Sequence, residues 1–418
     1  MTPAGELVLA TLWLARDRAR EERLARAAAA VRDWPAALAA LEAHGVLGLA
    51  HRNLAWAGAE LPAEAARALA ARQAVLRRIE LGFRLTLERY LAATRVRGVA
   101  VTLLKGAALA QDLYGPGLRA SGDLDLLVAP EDVPAAVEAA LAIGLGEPRG
   151  ALPEWWYRRF HFHRKFTAED AWQRELELHW HLHHESALLA VRLEELLARR
   201  VRVESGLAAW TLEPLDRYLH LVTHLARHVE LARLAPEELA RQCADPRAPL
   251  RAKWLLDLRA ELEQRRFTPA ALLERAREWN ATEELDAVLD VLLGLGLESE
   301  AERLAHAVRA ELAPGRPRAG RAQRNAPLPG LDLRASNLRL VPRWLWPPTP
   351  RLAGLARGSA RARTRREQFA GALGQLLPAL VLTPAAWLLR RRRWSGRGLA
   401  PDELLGLVAH ARGLEKGV

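Results

Sequence analysis

Two aspartates separated by one residue, Asp123 and Asp125, are the strongest chemical signal in the chain. They lie in the apolar run DLDLLV, which is typical of a strand, and side chains on a strand alternate between two faces. The two carboxylates therefore share one face, while Leu124 and Leu126 point to the other. Because hard oxygen ligands are what Mg²⁺ prefers, the pair predicts a divalent-metal site.

A third acid is expected on a later strand. In RELELHWH, the residues Glu175, Glu177, His179 and His181 alternate with apolar residues, which predicts a polar face that lines a cleft. Glu177 would join the aspartate pair to give the three carboxylates that two-metal phosphoryl or nucleotidyl transfer requires. We predict these three acids as catalytic and metal-binding residues, with Glu177 or His179 as the base that accepts the acceptor's proton.

Residues suited to phosphate binding surround the aspartate pair. Gly106 lets the backbone approach a phosphate, and a helix beginning at Ala107 would offer free N–H groups and the positive end of its dipole. Lys105 and Arg119 are the cations placed to meet phosphate charge. We predict nucleotide binding by Lys105, Gly106, Arg119 and Ser121.

The elements that must position these residues alternate between strand and helix, which predicts an α+β fold with a small mixed sheet. The predicted elements are a strand at Val99–Leu104, a helix at Ala107–Tyr114, the strand holding the aspartate pair, a helix at Pro130–Leu141, and strands at Phe160–Phe166 and Arg174–His181. The last two strands are joined by AEDAWQ at hairpin-like spacing.

Helical periodicity flanks this core on both sides, with proline and glycine where helices begin and end. We predict four regions: an N-terminal helical region (1–95), the α/β core (96–205), a helical bundle (206–313), and an arginine-rich tail (314–418) that contains an apolar segment. Lys253 and Asp257 lie one turn apart in the bundle, which is typical of a solvated pair.

A second candidate site is a histidine stripe at helical spacing, formed by His220, His224 and His228. His-x-x-x-His can bind zinc, but the glutamate of the metalloprotease motif is absent, so a buried or cleft-facing stripe is the favoured interpretation. A zinc hydrolase remains an alternative, built on the cluster His179, His181, His183 and His184.

The net charge of +11 invites a nucleic-acid interpretation, but its distribution argues against nucleic acid as a partner. The tail from Pro314 holds 20 Lys and Arg against 5 Asp and Glu, so the rest of the chain is slightly acidic. The tail's uncharged run at 369–389 favours a packed helix pair or peripheral contact with a membrane over a true span. One cysteine, Cys243, and no export signal predict a cytoplasmic protein.

The segment LLKGAALAQDLYGPGLRASGDLDLLV, followed by LELHWHL, resembles the uncharacterised bacterial nucleotidyltransferase family within the DNA polymerase beta-like nucleotidyltransferase superfamily. The resemblance covers roughly residues 1–300. It implies that Gly106 is the turn glycine, that the aspartate pair binds the metal, and that Glu177 is the third acid.

Two features depart from the superfamily pattern. The chain lacks a serine directly after Gly106, and sixteen residues separate Gly106 from Asp123, more than is usual. The first departure moves phosphate binding towards Lys105 and Arg119. The second predicts a larger loop, Gly115–Gly122, that covers the site and decides which acceptor is used.

The expected activity is a Mg²⁺-dependent transfer of a nucleoside monophosphate from an NTP to an acceptor hydroxyl, with release of pyrophosphate. The acceptor stays open between a small molecule, a sugar and a protein side chain. The alternative is a non-catalytic module that keeps the nucleotidyltransferase fold for nucleotide or partner binding.

Overall fold

A computed structural model of the chain describes residues 2–148, 162–168, 175–183, 189–203, 207–229, 231, 234–264, 266–296 and 299–312. All of these except His183 and Leu189 belong to one compact unit. The predicted tail, its apolar run at 369–389, most of the AEDAWQ connection and His184 lie outside the described residues.

The described residues contain fourteen α-helices and a mixed sheet, and together these confirm the predicted α+β class. The helices are α1 (Pro3–Ala10), α2 (Arg18–Ala30), α3 (Trp34–Ala43), α4 (Leu47–Trp56), α5 (Ala63–Val96), α6 (Lys105–Asp112), α7 (Val133–Ala142), α8 (Leu193–Arg199), α9 (Pro214–His228), α10 (Pro236–Ala244), α11 (Ala252–Glu263), α12 (Pro269–Glu278), α13 (Thr282–Gly294) and α14 (Ser299–Leu312). Among the described residues, no helix has both the length and the apolar character that crossing a membrane needs.

Local chemistry explains where the N-terminal helices begin. The side chain of Asp33 accepts a hydrogen bond from the Ala36 N–H at 3.0 Å, and Pro35 lies in the first turn of α3. Pro62 directly precedes α5, whose 34 residues form the longest described helix. These starts agree with the helical pattern predicted for residues 1–95.

The described strands form one seven-stranded mixed sheet. The strands are β1 (Thr102–Leu103), β2 (Asp123–Leu127), β3 (Leu145–Gly146), β4 (His163–Ala168), β5 (Glu175–His179), β6 (Val201–Arg202) and β7 (Trp210–Thr211). Their order is β3-β4-β5-β2-β1-β7-β6. β2 runs parallel to β5 and antiparallel to β1, and β4 pairs antiparallel with β5, as the hairpin-like spacing predicts.

The hydrophobic core lies behind β2 and β5. Leu124 and Leu126 of β2 and Leu176 and Leu178 of β5 are buried with side chains of α5 and α7. Burial of these apolar side chains at about 25 cal/mol per Å² fixes the sheet against the helices. The polar residues between them therefore face the opposite side, where the site is built.

Several predicted boundaries differ from the structure: besides those below, the helix predicted to end at Tyr114 ends at Asp112, and the strand predicted to end at His181 ends at His179. The first strand is shorter than Val99–Leu104, because only Thr102 and Leu103 pair with both β2 and β7. The helix after it begins at Lys105 instead of Ala107. The helix predicted from Pro130 begins with a 3₁₀ turn at Pro130–Asp132, before α7.

Candidate active site

The parallel pairing of β2 and β5 brings the predicted acids together. Asp125 lies directly opposite Glu177 in the register, and Leu127 lies opposite His179. Asp123, two residues before Asp125, projects from the same face of β2. The sheet register thus places Glu177 beside the aspartate pair although more than fifty residues separate them along the chain. We call Asp123, Asp125 and Glu177 the acid cluster.

Asp125, Glu177 and His179 form a group that could hold a metal ion. One ligand atom of each lies within 4.8 Å of the others. His179 Nε2 lies 3.0 Å from Asp125 Oδ1 and 3.5 Å from Glu177 Oε2. Two carboxylates and an imidazole are a donor set that fits a divalent cation. The group contains two of the three predicted metal ligands, with His179 in the place expected for Asp123.

Lys105 contacts the acid cluster directly. Its ammonium donates to Asp125 Oδ1 at 2.7 Å, and the Lys105 side chain is only 16% exposed. Burial lowers the pKa of this ammonium, but the charge of Asp125 and the hydrogen bond to it raise the pKa above its ordinary value. Lys105 therefore carries a positive charge against Asp125.

The three acids differ in their affinity for a proton. Burial raises the pKa of Asp125, but Lys105 and His179 outweigh it and hold the pKa well below its ordinary value. Burial likewise opposes the ionised form of Glu177, yet the hydrogen bond from His179 and the nearby Lys165 bring its pKa to about 2. Burial and then the charge of Asp125 raise the pKa of Asp123. Asp123 is the most basic member of the acid cluster.

Arg119 lies against a buried carboxylate. Its Nε and Nη2 atoms donate to the two carboxylate oxygens of Asp257, each at 2.7 Å, and the Tyr114 hydroxyl donates to Asp257 Oδ1 at 2.8 Å. Asp257 is completely buried, so the prediction that Lys253 and Asp257 form a solvated pair is wrong. A carboxylate removed from water needs partners such as this arginine and this hydroxyl. We call Tyr114, Arg119 and Asp257 the loop anchor. The predicted phosphate contact of Arg119 stays a prediction.

Gly106 and Ser121 connect the loop anchor to the acid cluster. A Cβ atom at Gly106 would overlap Arg119 Nη1 and Ser121 Oγ, so a glycine is required for this close packing. The Ser121 hydroxyl donates to the backbone oxygen of Asp123 at 3.2 Å. Both residues lie beside the acid cluster, and their predicted roles in nucleotide binding remain predictions.

The loop Gly115–Gly122 is held on its outer side as well. Gln73 Nε2 of α5 donates to the Gly117 backbone oxygen at 2.9 Å, and Gly48 of α4 approaches the same oxygen too closely for any larger residue. Between α5 and this loop lies a small depression, lined by residues that include Glu80, Arg119 and Ser121. The loop is therefore a fixed wall of the site region.

Sequence reasoning missed two lysines near the acid cluster. Lys165 Nζ lies 2.7 Å from Glu177 Oε1, and Lys253, whose ammonium donates to the Ala120 backbone oxygen at 3.3 Å, interacts electrostatically with Asp123. A signal was present in the composition: only four of the 61 basic residues are lysines, and three of these four surround the acid cluster.

The histidine stripe lies on α9, as predicted. His220 is buried, and the rings of His224 and His228 each lie 5.1 Å from the Trp254 ring. Burial lowers the pKa of His220 to about 3, so this histidine is neutral. Among the described residues, the group that could hold a metal ion contains none of the three histidines of the stripe. Of the histidines in the zinc-hydrolase alternative, it contains only His179.

Comparison with known protein families identifies the family of this chain. Residues 30–292, more than half of the chain, match a family described as uncharacterised nucleotidyltransferase. The matched range includes the acid cluster, Lys105 and the loop anchor. No curated protein and no solved structure matches the chain.

Proposed function

Because the chain belongs to this family of uncharacterised nucleotidyltransferases, we propose that it transfers a nucleoside monophosphate from an NTP to an acceptor hydroxyl in a Mg²⁺-dependent reaction. The observation that carries the proposal is the convergence of Asp125, Glu177 and His179 within 4.8 Å on two paired strands inside the matched range. We also propose that the family lies in the DNA polymerase beta-like superfamily, because Gly106, the aspartate pair and Glu177 resemble the motif of that superfamily.

Different residues of the site are proposed to hold the metal ion and to bind the triphosphate. Asp125, Glu177 and His179 would hold the divalent ion. When bound, such an ion would neutralise phosphate charge and steady the attacking and leaving oxygens. Lys105, Gly106, Arg119 and Ser121 are proposed to border the triphosphate, where the N–H groups at the start of α6 favour an anion.

Proton transfer assigns a separate role to Asp123. The acceptor oxygen bonds to the α-phosphorus while the bond from that phosphorus to the bridging oxygen breaks, and pyrophosphate leaves. The acceptor's proton must pass to a base. Glu177, with its pKa near 2, is a weak proton acceptor at neutral pH, and His179 is turned towards two carboxylates. The raised pKa of Asp123 favours it as the base.

The acceptor is proposed to meet the site beside the loop Gly115–Gly122, and its class stays open between a small molecule, a sugar and a protein side chain. A cytoplasmic location is proposed from the cysteine content, because proteins of oxidising compartments commonly carry paired cysteines and this chain has one cysteine, Cys243. Peripheral membrane contact through the tail, and the four-region division of the chain, also remain proposals.

The test is mass spectrometry of the full chain and of candidate acceptors after incubation with Mg²⁺ and each NTP in turn, with pyrophosphate measured in parallel. We expect a mass increase of one nucleoside monophosphate on an acceptor and a matching yield of pyrophosphate. Asp125→Asn and Glu177→Gln should abolish both. The matched control is Asp132→Asn, which removes a carboxylate in the 3₁₀ turn beyond β2 and should keep wild-type turnover.

Three results would contradict the proposal. Pyrophosphate release that persists in the Asp125→Asn protein would remove the acid cluster from the chemistry. Calorimetric NTP binding without turnover on any acceptor would instead support the non-catalytic module. Stoichiometric zinc in the purified protein, with hydrolytic activity, would support the zinc hydrolase.

A further inference from the structure

Lys105 is placed for more than contact with a phosphate, and this inference rests on the metal-dependent transfer proposed above. We propose that the Lys105 ammonium is a resident cation that fills one of the two cation positions beside Asp125, so that the chain binds one divalent ion where a two-metal site binds two. Lys105 is then a positioning residue for the metal ligand Asp125.

The contact geometry is the first support. Lys105 Nζ and His179 Nε2 both approach Asp125 Oδ1, at 2.7 Å and 3.0 Å. Asp125, a member of the group that could hold a metal ion, is therefore also held by an ammonium. The Asp125 side chain is only 3% exposed, so water does not screen this ion pair.

The backbone is the second support. Lys105 has a φ of +40°, in the left-handed region, where a side chain is strained and glycine is not. Strain of this kind persists at functional sites, where the surroundings hold it in place. If the position served only to turn the chain into α6, glycine would serve better. The strain therefore indicates that the side chain itself is needed.

The choice of lysine is the third support. The chain uses arginine for nearly all of its 61 basic residues, yet lysine stands at 105. An ammonium is a compact point charge, whereas a guanidinium is a broad planar fork. The ammonium therefore concentrates its positive charge at one point, as a metal ion does, whereas the guanidinium spreads it over a plane. Lysine at this position is thus the residue that can replace a cation.

Lys165 provides a matched comparison. It also lies 2.7 Å from a carboxylate of the acid cluster, Glu177, but its side chain is 44% exposed and it stands within the strand β4. An exposed lysine can turn into water and yield its place to an ion. The Lys105 side chain is only 16% exposed and is therefore more enclosed. Loss of either lysine removes one positive charge, but only loss of Lys105 should open a cation position.

The experiment counts bound Mn²⁺ per full-length chain by electron paramagnetic resonance titration, with the metal alone as the probe. We expect one ion in the wild type and two in Lys105→Gly, which suits the positive φ. Lys105→Met tests the same loss of charge without a change in backbone freedom and should also bind two. Circular dichroism melting of each variant establishes that it is folded.

The control variant Lys165→Met should bind one ion, with its affinity changed less than tenfold. Two ions in the wild type, or one ion in both folded Lys105 variants, would overturn the proposal while leaving the proposed function intact. A wild-type chain that binds no Mn²⁺ would overturn the metal dependence of the proposed function, and this inference with it.

Discussion

The acid cluster and the loop anchor are both built from buried or half-buried carboxylates, but their charges are balanced differently. In the loop anchor, the two oxygens of Asp257 are matched by a bidentate arginine and a tyrosine hydroxyl. In the acid cluster, three acids lie together, and the pKa of Asp123 is raised by burial and by Asp125.

The difference separates a structural use of charge from a chemical one. A fully paired buried carboxylate holds two parts of the chain together and has no capacity left for a ligand. The acid cluster contains a carboxylate, Asp123, whose pKa is raised, and such a cluster retains capacity for a cation or a proton. Removal of one carboxylate should therefore have opposite consequences in the two regions.

The largest effect is expected for Asp257→Asn in the loop anchor. The change preserves the size of the side chain but leaves the Arg119 guanidinium, 4% exposed, without a counter-charge. We expect the free energy of unfolding to fall by about 3–5 kcal/mol, measured by urea denaturation. A loss below about 1 kcal/mol would show that the pair is not a structural anchor.

The next effect is expected for Gly106→Ala, at the contact between the two regions. The new methyl group would overlap Arg119 Nη1, which cannot move away while Asp257 holds the guanidinium. We expect the free energy of unfolding, measured by thermal denaturation, to fall by about 1–3 kcal/mol. In the double variant with Asp257→Asn, the total loss of unfolding free energy should be smaller than the sum of the losses in the two single variants. The reason is that Arg119, released from Asp257, can move away from the new methyl group. Full additivity would contradict this coupling.

A smaller effect is expected in the pH dependence of stability, through His220 behind the acid cluster. Burial, and then the charge of Lys105, lower its pKa to about 3, whereas an unfolded histidine titrates near 6.5. The unfolded chain therefore binds the extra proton, and stability falls as the pH drops from about 6.5 towards 3. His220→Gln should reduce the slope by up to about 1.4 kcal/mol per pH unit between pH 4 and 6.

The measurement for this prediction is a series of urea denaturations at fixed pH values between 4 and 7.5, on the wild type and on His220→Gln. The pKa values of His224 and His228 are also lowered by burial, so part of the slope should remain in the variant. Parallel curves for the two proteins would indicate that His220 is charged in the folded chain.

The smallest effect on stability is expected for Asp123→Asn in the acid cluster, the counterpart of Asp257→Asn. This change removes a buried negative charge that Asp125 repels, so the free energy of unfolding should stay within about 0.5 kcal/mol of the wild type or rise. Pyrophosphate release should nevertheless be lost. A large destabilisation, measured by urea denaturation, would make Asp123 a structural residue and remove the contrast between the two regions.

Local patterns were sufficient for much of the fold. Period-two alternation in DLDLLV predicted the strand and its inward leucines, and proline positions predicted the starts of α3 and α5. The mixed α+β class and the family were confirmed. Boundaries were predicted less well: the strand before Lys105 is only two residues long because pairing partners elsewhere in the chain limit it.

The sequence by itself determined which residues could do chemistry, because alternation on one strand is enough to align Asp123 with Asp125. Only the tertiary structure decided their partners. The register of β2 against β5 places His179 beside Asp125. Lys105, with its left-handed backbone, donates its ammonium to Asp125 Oδ1, the oxygen that His179 also approaches. Helix α11 brings Asp257 to Arg119, 138 residues away along the chain. Such contacts depend on packing between distant segments, and a local pattern carries no record of them.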